Sequence, residues 1–452
     1  MKIVVAGCGK IGTTIISSLV EEGHDIIALD ISPEALEEIT NIYDVMCICG
    51  ASTDCDTLSE AGVQQAELFV SVTGSDEINM LSCFLAKRMG AKNTISRIRS
   101  PHYNESSLGF IKQQLDLNVS INPEFMVARE LYDILKFPSA VNIETFSARQ
   151  FEMIELRLKP DSLFDSMSLS EIRKKYPGNY LIGTVQRDEE IFIPDGNFVL
   201  HGGDKIGLTA SPAEIQKLLK RLGLFQKQAK SVMILGASTT AYYLAKALLA
   251  SGHTVKIIDK DRERCEEISN KLPGAIIIFG DGAQQELLLE EGISSTDAFI
   301  SLTGIDEENI LISIFANTQN VPKVITKVNR SELASMAERL GLDTIVSPKK
   351  VVSDILSRHA RAIENSLGSN VEKLYKLLDG KAEALEFKVQ NDFMYQQIPL
   401  KDMKLKSNTL IAGIIRNKKP FIPSGNDFIL AGDRVVVLSA GHQMNDLADI
   451  IR

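Results

Sequence analysis

The sequence predicts an α/β chain built from two doubly wound parallel sheets, each followed by a small α+β module. Three observations carry that expectation. The 452 residues repeat at about half length: SVTGSDEINM at 71–80 recurs as SLTGIDEENI at 301–310, EEGHDIIALD at 21–30 recurs as ASGHTVKIID at 250–259, and the stretch ending at Asp204 returns ending at Asp433. The displacement is 229 or 230 each time, so one architecture is used twice. Up to about residue 135, the short apolar runs IVVAG, DIIALD, LFVSVTG and TISRI alternate with helical stretches starting near Ile11, Ser32, Asp56 and Asp76. That alternation is the pattern of parallel strands joined by crossover helices. From about 150 onward the runs FEMIELRL, LIGTVQR, EIFIP and DKIGLTA surround one helical segment near 168–176, with turn signals at PDGN and HGGD, as in a small α+β module. Four modules follow, at 1–140, 141–228, 229–368 and 369–452, with the polar stretch FQKQAK at 225–230 between the halves.

Composition narrows the function. Apolar residues at 44% and charged residues at 24% are ordinary for folded domains and exclude wholesale disorder. The net charge of -10 repels a phosphate backbone, so nucleic acid is not an expected partner. No apolar run approaches the ~18 residues of a spanning helix, and the opening KIVVAG reads as a buried strand rather than a signal peptide, so a cytoplasmic protein is expected. Six irregularly spaced cysteines suit a reducing compartment. Cys47, Cys49 and Cys55 are expected to be buried reduced thiols, because no histidine cluster completes a metal set with them.

The first strand runs into GCGKIG, where Gly7, Gly9 and Gly12 form the G-x-G-x-x-G pattern. Gly7 permits a tight turn, Gly9 lets a pyrophosphate approach the backbone, and Gly12 allows close helix packing, while the amides of the following helix face the anion. Asp30 ends the second strand 18 residues after Gly12, near the ~20 at which an acid accepts hydrogen bonds from an adenosine ribose. Lys10 can reach a phosphate as a point charge or remain solvated on the first turn. Cys8 is expected to supply only backbone. Thr73 and Gly74 follow the fourth strand and Arg97 ends the fifth, all at the carboxyl edge where open α/β sheets bind ligands; Arg97 can equally pair with Asp76 or Glu77.

The second copy departs at the loop. Its strand VMIL enters GASTTA, which keeps Gly236 but has Ser238 and Ala241 in place of the other two glycines, so a weaker, altered or empty site is expected. Asp259, Asp281, Thr303, Gly304 and Lys327 preserve much of the crevice edge.

These residues resemble the TrkA-type RCK (KTN) family of potassium-transport regulatory subunits. The resemblance is carried by GCGKIG, ALD at 28–30, TLSEAGVQQAELFVSVTGSDEINM at 57–80 and ISRIRSPHY at 95–103 in the first half. In the second half it is carried by FGDGAQQELLLEEGISSTDAFISLTGIDEENI at 279–310 and IAGIIRNKKPFIPSGNDFILAGD ending at Asp433, and it runs over essentially the whole chain. It implies that the large modules are Rossmann-like RCK-N domains and the small ones RCK-C (TrkA-C) modules. It further implies that NAD(H), or ATP or ADP, is bound by Gly7, Cys8, Gly9, Lys10, Ile11, Gly12, Asp30, Thr73, Gly74 and Arg97. The corresponding second-copy positions are Gly236, Ala237, Ser238, Thr239, Thr240, Asp259, Asp281, Thr303, Gly304 and Lys327. Glu124, in the NPE turn at 122–124, matches a family glutamate that helps hold a divalent cation beside the phosphates, whereas the second copy has Lys349, which cannot ligate a metal while charged. Many members carry Gly-Asp after the third strand, kept as Gly280 and Asp281 but replaced in the first copy by Gly50, Ala51 and Ser52. The implied partners are an integral membrane potassium-translocating subunit of the TrkH/TrkG type and further copies of the chain, as a dimer or tetramer forming an RCK ring peripheral on the inner membrane face.

A dehydrogenase needs an acid or base beside its hydride acceptor. None of His24, His102, His201, His253, His359 and His442 sits in a substrate motif, and His24 and His253 occupy equivalent turns where surface histidine is expected. A nucleotide sensor is therefore preferred over an NAD(P)-dependent oxidoreductase or a regulator of a different channel or antiporter. The helix PEFMVARELYDILKF at 123–137 presents Phe125, Leu131, Ile134 and Leu135 to either a partner domain, across a hinge near Pro138, or its own core. Charge is unequal between the halves, -9 for residues 1–228 and -1 for 229–452, which makes the first half the better candidate to face a basic membrane subunit.

Overall fold

The computed structural model describes the whole chain except residues 104, 137–139, 147–150, 189, 223–228, 366–370, 379–380, 442–443 and 445. Pro138, His442 and most of FQKQAK thus lie outside the described residues. The first large module runs β1 (Lys2–Ala6), α1 (Lys10–Glu21), β2 (Asp25–Asp30), α2 (Pro33–Thr40), β3 (Met46–Cys49), α3 (Cys55–Glu60), β4 (Leu68–Ser71), α4 (Asp76–Met89), β5 (Asn93–Arg97), α5 (Glu105–Gln114), β6 (Val119–Ile121) and α6 (Pro123–Lys136). Its six strands lie in the order β3-β2-β1-β4-β5-β6, all parallel. The central strands are buried along almost their whole length, which is why they read as continuous apolar runs rather than alternating ones. The strand order reverses between β1 and β4, opening a crevice at their carboxyl ends.

The first small module follows as β7 (Asn142–Phe146), β8 (Phe151–Arg157), α7 (Leu169–Lys175), β9 (Tyr180–Arg187), β10 (Glu190–Phe192), β11 (Lys205–Ala210) and α8 (Pro212–Arg221). It is an antiparallel sheet ordered β10-β9-β11-β8-β7. The sequence reading gave it one helix. The second, α8, is signalled by Ser211, whose side chain accepts from the Glu214 amide, and by the proline that follows at N1.

The second half repeats the plan with β12 (Ser231–Leu235), α9 (Thr239–Ala250), β13 (Thr254–Asp259), α10 (Arg262–Lys271), β14 (Ile276–Phe279), α11 (Gln285–Glu290), β15 (Ala298–Ser301), α12 (Asp306–Thr318), β16 (Lys323–Lys327), α13 (Ser331–Arg339), β17 (Ile345–Val346) and α14 (Pro348–Asn365). Its last module contains β18 (Val371–Leu377), β19 (Ala382–Lys388), β20 (Thr409–Arg416), β21 (Lys419–Phe421) and β22 (Arg434–Ala440). Both sheet orders correspond to those of the first half. No helix among the described residues is long and apolar enough to cross a membrane.

The halves exchange their closing helices. Val127, Leu131, Ile134 and Leu135 of α6 share a core with Ala241, Leu244, Ala245 and Leu248 of α9. Reciprocally, Val352, Leu356 and Ala360 of α14 join Ile15, Ile16 and Leu19 of α1. The apolar face of α6 thus meets a partner domain, and that partner is the other half of the same chain. Polar contacts mark both seams: Tyr132 Oη lies 2.6 Å from Ser251 Oγ, Ser18 Oγ lies 2.9 Å from Ser357 Oγ, and Arg361 donates to Glu22 at 3.3 Å. Each buried Leu or Ile on these faces contributes about 1.5–3 kcal/mol, so the aliphatic stripes and not the hydroxyl pairs hold the exchange.

The small modules close the arrangement. Leu378 donates its amide to Glu155 at 3.1 Å, and Gly183 lets the first small sheet approach the second, since a Cβ there would sit 2.3 Å from a methyl of Leu438. The first small module also meets the second large one, where Lys205 pairs with Glu338 at 3.5 Å, Arg157 with Asp343 at 3.2 Å, and buried Lys323 donates to the Ala140 carbonyl at 2.7 Å.

The expectations for the turn histidines and for the cysteines near β3 are corrected. His24 is buried, 3.9 Å from Glu22, because the turn before β2 folds under α1, while His253 is half-buried against the Leu248 carbonyl. Among the free thiols Cys8, Cys83 and Cys265 are buried, but Cys49 and Cys55 are exposed and Cys47 half-buried, because β3 is an edge strand and α3 lies on the surface.

Two ionisable groups sit at the seams. Burial and the charge of Asp354 push the Glu130 carboxyl on α6 up to about 7, against the pull of Lys350 and Arg358 on α14, with Asp133 on its own helix adding to the rise. Burial pushes the Lys323 amine down to about 7, with Asp343 opposing. A carboxyl raised on folding stabilises fully only below its unfolded value, so the Glu130 contribution is lost as pH rises from about 4.3 through 7. An amine lowered on folding costs stability as pH falls from about 10.4 towards 7. Glu130→Gln is therefore expected to flatten the dependence of Tm on pH on the acid side of neutrality and Lys323→Met that on the alkaline side, as read by calorimetry.

Candidate functional site

The turn after β1 is shaped by contacts that only glycine allows. Gly7 has φ +99° and a Cβ there would lie 2.7 Å from the Thr73 amide nitrogen, so the loop presses against the end of β4. A Cβ on Gly12 would lie 1.8 Å from the Gly7 carbonyl oxygen, so its smallness serves the loop itself. At Gly9 a Cβ would meet nothing within 4 Å, and that position faces open space. Gly9 is also the N-cap of α1 and offers no side-chain cap, which leaves the first amides of a twelve-residue helix without an internal partner.

Asp30 ties the loop to the second strand. One carboxylate oxygen accepts from the Cys8 amide at 2.5 Å and the other from the Ser32 amide at 2.9 Å. The Cys8 thiol is pushed up to about 12 by burial, with Asp30 and Cys47 adding to the rise, and its sulfur faces the Leu29 carbonyl, so this residue acts through its backbone.

The opposite wall comes from β4, β5 and α6. Asn79 accepts from the Thr73 amide at 2.7 Å and hydroxyl at 2.8 Å, and donates to the Arg97 carbonyl at 3.0 Å, pinning the ends of β4 and β5 together. Asp76, buried at the start of α4, accepts the amides of Arg99 and Ser100 at 3.1 and 2.8 Å. Neither Asn79 nor the amide-binding role of Asp76 was singled out from the sequence, although both belong to the repeated TG-x-D-E-x-N segment; Asn309 and Asp306 make the same bonds in the second copy. Arg97 reaches Glu124 at 4.0 Å rather than Asp76 or Glu77, and burial lowers its basicity against the opposing charge of Glu124. The Nε of Arg97 and Oε2 of Glu124 are buried without a hydrogen-bond partner.

The second loop keeps the backbone and loses the opening. Gly236 has φ +102°, and Asp259 accepts the Ala237 amide at 2.5 Å, as Asp30 does for Cys8. Ser238, however, turns its hydroxyl onto the Ala241 amide at 3.2 Å and caps α9 with its own side chain. The amides that a phosphate would use at α1 are thus partly satisfied internally at α9. Lys327 donates to the Thr303 carbonyl at 2.8 Å, and Asp281 accepts the Ala283 amide at 3.1 Å within its own turn.

Helix exchange turns the two crevices towards each other, and they merge into one cavity of about 1430 Å³. That exceeds the ~300–1,000 Å³ of ordinary small-molecule pockets. From the first copy it is lined by Gly7, Gly9, Lys10, Ile11, Asp30, Thr73, Gly74, Arg97 and Glu124, but not by Cys8 or Gly12, which lie behind the loop. From the second copy Ser238, Thr239, Thr240, Gly304 and Lys327 reach it, whereas Gly236, Ala237, Asp259, Asp281 and Thr303 do not. The strip Gly50 to Thr53 after β3 also lines it. The acid that ends the second strand and the strip after the third strand therefore reach the cavity in the first copy alone. Glu124 is a single carboxylate beside a guanidinium, and no group of three or more His, Cys, Asp or Glu among the described residues could hold a metal by itself.

Gly12→Ala is expected to destabilise the chain by about 1–3 kcal/mol through overpacking of the loop, measured by denaturant unfolding.

Comparison with known proteins agrees with this architecture. The family model described as the TrkA-N domain matches residues 3–112 and 232–348, and that of the TrkA-C domain matches 153–223 and 385–452. The chain is 32% identical over its full length to the full length of "Trk system potassium uptake protein TrkA homolog" of Archaeoglobus fulgidus. It is 28% identical to the "Trk system potassium uptake protein TrkA" of Vibrio alginolyticus, over 98% of this chain and 94% of that one. Among solved structures, the GsuK RCK domain superposes with a TM-score of 0.63 at 16% identity, covering 97% of this chain and 92% of that one. The GsuK channel bound to NAD gives the same TM-score and identity over 97% and 77%. With its paired N- and C-type domains and full-length kinship, the chain belongs to the TrkA family of the Trk potassium uptake system.

Proposed function

We propose that this chain is the nucleotide-binding regulatory subunit of a membrane potassium uptake protein of the TrkH/TrkG type, and that NAD(H), ATP or ADP bound at the first glycine loop sets its state. The observation that carries the reading is the uncapped N-terminus of α1, opening onto a large cavity beside Asp30 and the unpartnered polar atoms of Arg97 and Glu124. A helix end of this kind favours an anion. In this reading Asp30 accepts from an adenosine ribose alongside its two backbone amides, Gly9 lets the phosphates approach and Arg97 meets the far half of the ligand. A divalent cation fits beside Glu124 only if phosphate oxygens and water complete its coordination, as magnesium sites commonly allow. The relatives' printed names and the GsuK channel structure bound to NAD support this reading.

The cavity lies between halves that share their closing helices, so a ligand that prefers one spacing of the two sheets shifts their relative position by its difference in affinity. Exposed apolar side chains on α4 and α5 (Leu81, Phe110), on α12 and α13 (Leu311, Met336) and at Leu340 just after α13 are suited to assembly into a ring with further copies at the inner membrane face.

Calorimetric titration with NADH, NAD, ATP and ADP is expected to give saturable binding near one ligand per chain without turnover, and potassium flux through a reconstituted membrane subunit is expected to depend on which is present. Flux indifferent to all four would end the proposal. Gly9→Ser, which imports the cap of the second loop, is expected to weaken nucleotide binding at least tenfold while leaving Tm within about 2 °C.

A further inference from the structure

The helix that the second half lends to the first carries a lysine to the phosphate end of the site. Ser357 meets Ser18 and Arg361 meets Glu22, and both pairs are 339 positions apart. Two contacts one helical turn apart with the same displacement mean that α14 and α1 run parallel and in step. Continued two turns towards the N-termini, that register sets Lys349 level with Lys10, at the first turn after the glycine loop. Both side chains line the cavity.

The other cations on the second-copy wall are engaged. Lys327 is bound to the Thr303 carbonyl, and Arg330 pairs with Glu307 and Asp306. Lys350, the next residue, acts on Glu130 at the crossing of α6 and α14. Lys349 has no hydrogen bond or ion pair with any described residue. In the first half the corresponding position after the asparagine or serine and proline is Glu124, which faces Arg97. Glu124 is thus held by the first-copy arginine, whereas the register of α14 on α1 carries the Lys349 ammonium to the level of the uncapped helix.

We propose that Lys349 is an anion-binding residue of the first-copy site, supplying from the second half of the chain a positive charge to the phosphates of a nucleoside diphosphate or dinucleotide. This rests on the nucleotide reading of the first loop and extends it: the site is complete only when α14 is seated on α1. The ammonium stands on the ligand's phosphate side as a fixed cation, so binding there has less need of a metal ion. A charge-assisted hydrogen bond of this kind corresponds to about ten- to hundredfold in affinity.

The test is calorimetric titration of the full chain with ADP and with NADH, for the unaltered protein and for Lys349→Met and Lys349→Arg, with Tm recorded for each. The expected result is at least a tenfold loss for Lys349→Met, retention within about threefold for Lys349→Arg, and unchanged Tm. If the unaltered chain binds neither nucleotide, the functional reading itself fails. If it binds and Lys349→Met binds equally well, or Lys349→Arg falls as far as Lys349→Met, the nucleotide reading stands and the role of Lys349 is overturned.

Discussion

Neither large sheet is covered by helices of its own half alone. The strip beside α9 is filled by Val127, Leu131, Ile134 and Leu135 from the first half, and that beside α1 by Val352, Leu356 and Ala360 from the second. Water-avoiding surface of this size must be covered, and here the cover always comes from the other copy. Other features follow from it. The two crevices face each other because the closing helices cross between the sheets, the cavity is shared for the same reason, and the Glu130 carboxyl is pushed up because this crossing buries it.

Within that frame the two glycine loops have diverged through small changes. Gly7 and Gly236 hold the same left-handed turn, and Asp30 and Asp259 accept the same loop amide. Replacing the second glycine by Ser238 provides a hydroxyl that satisfies an amide otherwise open to an anion, and replacing the third by Ala241 adds a methyl where the first loop has no room for one. The acids and the strand edge around the second loop remain because they also hold the fold together: Asn309 links β15 to β16 and Asp306 gathers two amides whether or not a ligand is present.

The duplicated plan, the parallel sheets and the glycine loop were legible because each depends on local pattern: apolar runs, turn glycines and a fixed displacement. The sequence reading placed Asp30, Thr73, Gly74 and Arg97 at the carboxyl edge, and they line one cavity in the structure. Arg97 finding Glu124 instead of Asp76 was not legible, since it depends on where α6 is drawn by its packing on the other half. The burial of His24 and the exposure of Cys49 likewise depend on which strands lie at the sheet edge and how the turns fold under, and the local pattern is silent on both. Asn79 was overlooked for another reason. A buried amide that pins two strand ends leaves no periodic signal, only its recurrence at Asn309, and recurrence alone does not distinguish a ligand contact from a brace.

The reciprocal seating of α6 and α14 bears on what duplication achieved. A half-length chain of this design would leave its closing helix without a partner and could bury it only by pairing with a second identical chain, a step governed by concentration. Covalent linkage of the halves replaces that step with an intramolecular one of high effective concentration. It also lifts the symmetry that an identical pair must obey, under which any change in one loop appears in both. Tethering is thus what permits one loop to keep its opening while its twin becomes a wall.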